Sequence, residues 1–280
     1  MSETNINWFP GHMKKTLDSL MDQVKICDVV LYLLDSRAPL SCLNPEFNKI
    51  LNNKPVIFIL NKVDFVDEIE LKEKCKSIFN ENQKYVFLDS TRPSSYKVIL
   101  NKLNDFVLKK LERNKAKNIN IPLRLMVIGV PNVGKSTLIN NFAGKNKAEA
   151  QNKPGVTQAN KWVKVDNNIE LLDTPGTLWP KFENSLVAKH LAYIGSIKDE
   201  VIILTDLVYE FISEISQNYS LNFKYRYNID VKNKTPIEIY DEICYSRGFI
   251  MKNKEIDYER GAKAIIDDFR KGKLGKIILD

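Results

Sequence analysis

The chain contains 280 residues, which is enough for one large domain or two modest ones, and we expect two. Hydrophobic residues make up 44% and charged residues 28%, as in soluble globular proteins, and the apolar runs are too short to span a bilayer. The N-terminal residues lack the pattern of a signal or transit peptide, so we expect a cytoplasmic protein without a membrane partner. The net charge of +7 favours polyanionic partners.

The first part of the chain predicts a mainly parallel β-sheet with helices between the strands. Its strand patterns are continuous apolar runs, which indicate a sheet covered on both faces. These runs cover residues 29–34, 56–60, 85–88 and 123–128. Helical patterns at 69–80 and 96–113 separate them, and a β-hairpin of 162–165 and 169–172 follows. The fold class is therefore α/β, with ligand sites expected at the carboxyl ends of the strands.

Beyond Pro180 the pattern changes to helices without strand alternation. The predicted helices cover residues 185–194, 200–216, 236–247 and 258–269. Thr235, Pro236 and Glu238 combine an N-cap, a first-turn proline and a capping-box glutamate. We therefore predict a first domain at 1–182, which includes an N-terminal segment at 1–20, and a smaller all-helical domain at 183–280.

Cysteines and histidines point to neither disulfides nor zinc. The cysteines at positions 27, 42, 75 and 244 have no paired spacing, and the chain has two histidines. We expect reduced, structural thiols.

Residues 129–136 have the pattern of a phosphate-binding loop between a strand and a helix. They read Gly129-Val130-Pro131-Asn132-Val133-Gly134-Lys135-Ser136. The backbone amides would cradle phosphates, Lys135 would place a charge on the outer phosphates, and the Ser136 hydroxyl would ligate Mg²⁺. The nucleotide contacts expected here are Asn132, Val133, Gly134, Lys135, Ser136 and Thr137.

A base-recognition motif lies upstream of this loop, at the end of the second predicted strand. It reads Asn61-Lys62-Val63-Asp64. Asp64 can accept hydrogen bonds from the ring N–H and the exocyclic amine of guanine, whereas adenine would leave this carboxylate unpaired. Asp89 and Ser90 follow the third strand, where a loop could close over the base, although a plain strand-ending turn explains them equally well.

A third motif, Asp173-Thr174-Pro175-Gly176, follows the hairpin. Its carboxylate can reach Mg²⁺ through water, and the Gly176 N–H can meet the γ-phosphate. Thr157 is the candidate switch threonine for the metal, with a solvated loop threonine as the alternative. Contacts that exist only while the γ-phosphate is present would allow an ordered-to-disordered switch.

The order of these motifs and three further segments indicate a particular family, because ordinary GTPases have the phosphate loop first and the base motif last. The segments are Trp8-Phe9-Pro10-Gly11-His12-Met13, Asp35-Ser36-Arg37-Ala38-Pro39 and Leu178-Trp179-Pro180-Lys181. The chain resembles the bacterial ribosome biogenesis GTPase A family over nearly its whole length. This resemblance implies a circularly permuted P-loop GTPase with a helical C-terminal domain that matures the large ribosomal subunit.

The resemblance also bears on catalysis. Thr177 occupies the position of the water-positioning glutamine of Ras-like GTPases, and its side chain is too short for that role. The family pattern makes His12 the candidate catalytic residue, with packing or ribosome contact as the alternative. It also makes Asn132 a candidate ligand for K⁺, which would stabilise charge on the phosphates beside the catalytic Lys135 and Thr157; an ordinary turn asparagine is the alternative.

Basic clusters with neighbouring aromatics suggest contact with ribosomal RNA. They are Lys224-Tyr225-Arg226-Tyr227, the lysines and arginine between 109 and 117, and Arg270-Lys271-Gly272-Lys273. Each cluster alone is equally well explained as a solvated face. The sequence thus predicts a GTPase, monomeric off the ribosome, that acts on a large-subunit precursor. A GTP-ordered RNA-binding scaffold with incidental hydrolysis, or a GTPase acting on another RNA such as tRNA, remains the alternative.

Overall fold

The computed structural model describes residues 12–51, 54–144, 161–179, 182 and 184–280, and for 12–15 and 161 it describes the backbone alone. The strands are β1 (Val29–Asp35), β2 (Val56–Asn61), β3 (Lys84–Leu88), β4 (Leu123–Ile128), β5 (Lys161–Lys164) and β6 (Ile169–Asp173). They form one sheet in the order β3-β2-β1-β4-β6-β5. Only β5 runs antiparallel to its neighbour, so the predicted mainly parallel sheet and its terminal hairpin are confirmed.

Of the α-helices that the structure describes, five lie before or between the strands in the chain, and five more follow the last strand. The first five are α1 (His12–Lys25), α2 (Pro45–Ile50), α3 (Glu68–Ile78), α4 (Tyr96–Lys117) and α5 (Lys135–Ala143). The others are α6 (Ser185–Tyr193), α7 (Leu204–Ile215), α8 (Ser220–Tyr227), α9 (Pro236–Ser246) and α10 (Tyr258–Arg270). Among the described residues, no helix is both long enough and apolar enough to cross a bilayer.

Several helix boundaries differ from the sequence prediction. The helix expected at 200–216 begins only at Leu204, because Asp199–Val201 form a 3-10 turn and Ile202 and Ile203 are extended. Helices α1, α2 and α8 were not predicted at all. The start of α2 has a clear signal in the sequence, since the Asn44 side chain accepts a hydrogen bond from the Glu46 amide and Pro45 is the first helical residue.

Residues 184–280, called the helical region below, share one continuous apolar interior with the sheet and its helices. Helix α7 packs against α9 and α10, and its Phe211 ring lies 5.0 Å from that of Tyr193 and 4.9 Å from that of Phe269. Because this interior joins the two parts of the chain, the helical region is held in a defined position beside the sheet.

A polar cluster fixes the C-terminus between the sheet and the helical region. The Asp280 carboxylate accepts hydrogen bonds from the backbone amides of Leu40 and Ser41, both at 2.9 Å. His190, buried on α6, places Nδ1 3.1 Å from Asp280 Oδ2 and Nε2 2.6 Å from Glu214 Oε1. Despite burial, these two carboxylates raise the pKa of the His190 imidazole to about 9.

This cluster predicts a pH-dependent stability. Because the pKa of His190 is raised on folding, its contribution is fully present below about pH 6.5 and is lost as the pH rises through 9. We expect the wild type to lose on the order of 2–3 kcal/mol of unfolding free energy across this interval through His190. Urea unfolding at pH 6 and pH 9 measures it. The variant His190→Gln retains the other titrating groups and should lack this component; equal pH dependence in both proteins would contradict the prediction.

Candidate nucleotide-binding site

The predicted nucleotide motifs meet at the carboxyl edge of the sheet. In the strand register Asp35 lies opposite Asn61, at the ends of β1 and β2. Strand β4, which leads into the phosphate loop, pairs with β6 through Val127 and Asp173. Parallel strands thus deliver the base motif, the phosphate loop and the third motif to one edge, which is where open α/β sheets bind ligands.

The phosphate loop has the backbone shape that its sequence predicts. Gly134 adopts a φ of +99°, and a Cβ there would lie 2.3 Å from Asn61 Nδ2, so only glycine fits. The Lys135 ammonium lies inside the loop, where it donates to the carbonyls of Gly129 at 3.0 Å and Val130 at 2.8 Å. Burial lowers the pKa of Lys135 to about 8, against the opposing effect of the Asp173 charge.

The third motif crosses directly over the phosphate loop. A Cβ on Gly176 would lie 2.7 Å from Lys135 Nζ and 2.8 Å from Pro131 Cα, which makes glycine necessary at this crossing. Thr177 follows with a buried side chain, and its backbone N–H lies 3.4 Å from the Gly129 carbonyl. Gly176 is therefore held next to the lysine expected to contact the outer phosphates.

Residues suited to Mg²⁺ lie at this same edge. Ser136 and Thr137 occupy the exposed first turn of α5, and Asp173 ends β6 beside the strand that feeds the loop. A hydroxyl and a carboxylate are the hard oxygen ligands that Mg²⁺ prefers. Among the described residues no group of three or more histidine, cysteine or acidic side chains could hold a metal. In nucleotide sites Mg²⁺ typically combines one or two protein oxygens with water and substrate phosphates.

The base motif is joined to the phosphate loop through Asn61. Its buried side chain donates to the Val133 carbonyl at 2.7 Å and to Ser90 Oγ at 3.0 Å, and it accepts from the Ser90 amide at 2.9 Å. Lys62, at a φ of +61°, donates to the Asn132 carbonyl at 2.7 Å. Ser90 therefore does more than end a strand, because it fixes the asparagine of the base motif.

Asp64 lies at the surface of this assembly, on the 3-10 turn Val63–Phe65. Partial desolvation, followed by the Asp89 charge, raises the pKa of its carboxyl above the usual range. Asp89 itself is held by Thr91 and Arg92, with a 2.9 Å ion pair to the Arg92 Nε atom. The carboxylate that would recognise guanine is thus exposed, close to an Asp89 side chain that is held by hydrogen bonds and an ion pair.

The phosphate loop also contacts the helical region. Asn132 Nδ2 donates to the Gly195 carbonyl, and the Ser196 hydroxyl donates to the Pro131 carbonyl at 2.7 Å. The amide nitrogen of Asn132 is therefore engaged by the helical region, whereas a bound cation would need its Oδ1 atom. Sequence reasoning missed this contact because its partners lie more than sixty positions apart.

Two predicted site residues cannot be placed in the site. Thr157 lies outside the described residues, and for His12 only the backbone, at the start of α1, is described.

The predicted RNA clusters are divided by the fold. Arg226 forms a bidentate ion pair with Asp268, and Tyr227 is buried beside them. Arg270 is paired with Asp199, and Lys110 with Asp28; both pairs are partly buried. In contrast, Tyr225 is 85% exposed, and Lys224 beside it is exposed as well. The aromatic and basic groups available to RNA are thus fewer than the sequence suggested.

Comparison with known proteins agrees with this geometry. Residues 124–240 match a family model described as "50S ribosome-binding GTPase". Proteins named "Ribosome biogenesis GTPase A" are similar over nearly the full length. The protein of Priestia megaterium is 37% identical, and the match covers 98% of this chain and 96% of the relative. The protein of Bacillus licheniformis is 39% identical, and the match covers 97% of this chain and 96% of the relative. A crystal structure of GNP-bound YlqF from T. maritima, 24% identical, shares the fold with a TM-score of 0.67 over 95% of this chain and 97% of its own.

Proposed function

This chain belongs to the ribosome biogenesis GTPase A family and is a GTP hydrolase, and we propose that it acts on an immature large (50S) ribosomal subunit to promote a late assembly step. The observation that carries the proposal is the contact between the phosphate loop and the helical region at Asn132 and Ser196. Binding or release of a phosphate group at the phosphate loop would directly alter that contact. The all-helical domain predicted at 183–280 would bind the particle, and residues 1–182 would bind the nucleotide.

In this proposal each motif has a distinct chemical task. Asp64 accepts the two guanine N–H donors, and Lys135 neutralises charge that develops on the transferring phosphoryl group. Ser136, Thr157 and Asp173 would hold Mg²⁺, which would neutralise charge on the phosphates. Gly176 supplies its N–H to the γ-phosphate. Water attacks the γ-phosphorus, and GDP and phosphate leave.

Two residues carry the remaining catalytic proposals. His12 would orient or deprotonate the water, and the particle would complete this arrangement, so turnover off the ribosome would be slow. Replacing His12 with alanine should then remove particle-stimulated hydrolysis while GDP affinity is retained; stimulated hydrolysis at the wild-type rate would contradict this role.

Asn132 would hold K⁺ beside the phosphates, and equal hydrolysis rates in K⁺ and Na⁺ would contradict that.

Tyr225 offers a sharper test of RNA contact. Because the ring is exposed next to Lys224, we propose that an unpaired rRNA base stacks on it. Tyr225→Ala should weaken binding to large-subunit precursors about tenfold, as expected for one lost stacking contact. Tyr225→Phe keeps the ring and should bind as the wild type does. Equal binding by all three proteins, measured by sedimentation, would exclude this contact.

The main experiment is co-sedimentation with large-subunit precursors in the presence of a GTP analogue or GDP, with hydrolysis measured alongside. We expect binding with the analogue, release with GDP, and faster hydrolysis on the particle. Nucleotide-independent behaviour without stimulation would contradict the proposal, and binding to tRNA instead would favour the alternative substrate. We also propose that the free protein is a cytoplasmic monomer, and sedimentation of the protein without particles tests its oligomeric state.

A further inference from the structure

One buried carboxylate connects the base motif with the end of α10. Asp35 ends β1 and is fully buried. Its Oδ1 atom accepts from the Arg37 amide and from Arg37 Nε, at 3.1 and 2.9 Å. Its Oδ2 atom accepts from Arg37 Nη2 at 2.7 Å and lies 2.8 Å from Lys62 Nζ. Arg37 and Lys62 therefore pair with the same carboxylate, and each of them also contacts a different part of the molecule.

Lys62 connects this carboxylate with the nucleotide site. It is the second residue of the base motif and stands between the buried Asn61 and the residues leading to Asp64. Its ammonium also donates to the Asn132 carbonyl in the phosphate loop. Because the backbone at Lys62 is left-handed, the ion pair with Asp35 holds a conformation that a non-glycine residue rarely adopts.

Arg37 connects the carboxylate with the helical region. This residue is only 1% exposed, and its guanidinium donates to the carbonyls of Phe269 and Arg270 at the end of α10, at 3.2 and 3.1 Å. It lies between two aromatic rings, 5.1 Å from the centroid of Phe65 and 5.0 Å from that of Phe269. Phe65 directly follows Asp64, so the guanidinium touches both the base-recognition turn and α10.

The C-terminal tail completes the same connection. The Leu279 amide donates to the Arg37 carbonyl at 2.7 Å, and the Ile277 amide lies 3.4 Å from the Phe65 carbonyl. Gly272, just after α10, packs on the Phe65 ring, where a Cβ would lie 2.8 Å from Cδ1. A movement of the base-recognition turn would therefore strain contacts with α10 and with the tail together.

We propose that Asp35 and Arg37 are positioning residues that couple guanine binding to the docking of α10 and the C-terminal tail. A bound base fixes Asp64 and its neighbours, and Phe65 and Lys62 pass this constraint to Arg37 and Asp35. By linkage, a docked helical region strengthens nucleotide binding by the same factor. The inference rests on the guanine site described above and adds that particle contact with the helical region alters nucleotide affinity.

The test combines GDP titration with hydrogen exchange at the Ile277 and Leu279 amides. GDP should slow exchange at both amides in the wild type by about fivefold or more, the lower range of allosteric coupling. In Arg37→Gln the slowing should disappear and GDP should bind about tenfold more weakly. Since losing a buried cation can unfold the protein, Phe65→Leu serves as a second variant that leaves every charge in place; it should show both effects in smaller measure.

Arg226→Gln is the matched control. It removes another bidentate arginine–carboxylate pair, that with Asp268, which lies within the helical region. We expect it to lower thermal stability while the GDP affinity and the GDP effect at Ile277 and Leu279 stay unchanged. Exchange at these amides that does not respond to GDP in the wild type would overturn the coupling alone. Absence of GDP binding by the wild type would overturn the guanine site as well.

Discussion

Replacing Lys135 with alanine will reduce GTP hydrolysis by about 10³-fold, the loss typical when one preorganised charge or donor is removed from an active site. The ammonium is held inside the phosphate loop by two carbonyls, so it needs no reorganisation when negative charge develops on the phosphoryl oxygens. Burial has already lowered its pKa to about 8, and a phosphate group restores the partner that favours the charged form. Single-turnover phosphate release, with and without ribosomal particles, measures the effect.

Lys76→Ala is the matched control, because Lys76 is an exposed lysine on α3 with only a surface ion pair. It should hydrolyse GTP at the wild-type rate. Both variants should retain the wild-type circular dichroism spectrum, since neither lysine belongs to the hydrophobic core. If Lys135→Ala kept more than a tenth of the wild-type rate, the principal stabilisation of charge would have to come from other groups.

The sequence predicts where the motifs lie in the fold wherever their placement depends on local order. Apolar strands followed by polar or glycine residues are enough to place the base motif, phosphate loop and Asp173 at one edge of a parallel sheet. The glycines at 134 and 176 were predicted from the motif alone, and their contacts with Asn61 and Lys135 explain why other residues cannot replace them.

The sequence fails where a side chain finds its partner far along the chain. Arg226 was predicted to contact RNA, but the sequence does not reveal that its guanidinium pairs with Asp268, 42 positions away. Arg37 reads as part of a family signature, but its role becomes visible only when the end of α10 is brought beside it. Periodicity and spacing contain no information on such pairs, because both describe a single element and its neighbours.

The rotated motif order has a structural consequence. Gly176 touches Lys135, and the chain then passes through the buried residues Leu178 and Trp179 before α6 begins. The residue expected to sense the γ-phosphate is thus joined covalently to the helical region, while Asn132 and Ser196 connect the same two parts by hydrogen bonds. The guanine side has its own connection through Arg37. Under the proposed function, phosphate and base would therefore be sensed through separate contacts with one helical region.

Replacing Asp64 with asparagine will change base selectivity without unfolding the protein. In the proposed site the carboxylate would accept from the N1–H and the 2-amino group of guanine, and asparagine would set its NH₂ against one of these donors. We expect GDP to bind at least about 10²-fold more weakly, within the range for sites built on hydrogen-bonded groups. Xanthine carries a carbonyl in place of the 2-amino group, and this carbonyl can accept from the asparagine NH₂. Xanthosine diphosphate should therefore bind more tightly to Asp64→Asn than to the wild type.

Asp67→Asn is the matched control for this charge change. Asp67 caps α3 three residues further on, where its side chain accepts from the amides of Ile69 and Glu70. Asparagine caps a helix almost as well as aspartate, so this variant should keep both its stability and its preference for GDP. Titration of GDP and xanthosine diphosphate against the three proteins decides the matter. If Asp64→Asn still preferred GDP as strongly as the wild type does, guanine would have to be recognised by other groups at the carboxyl edge of the sheet.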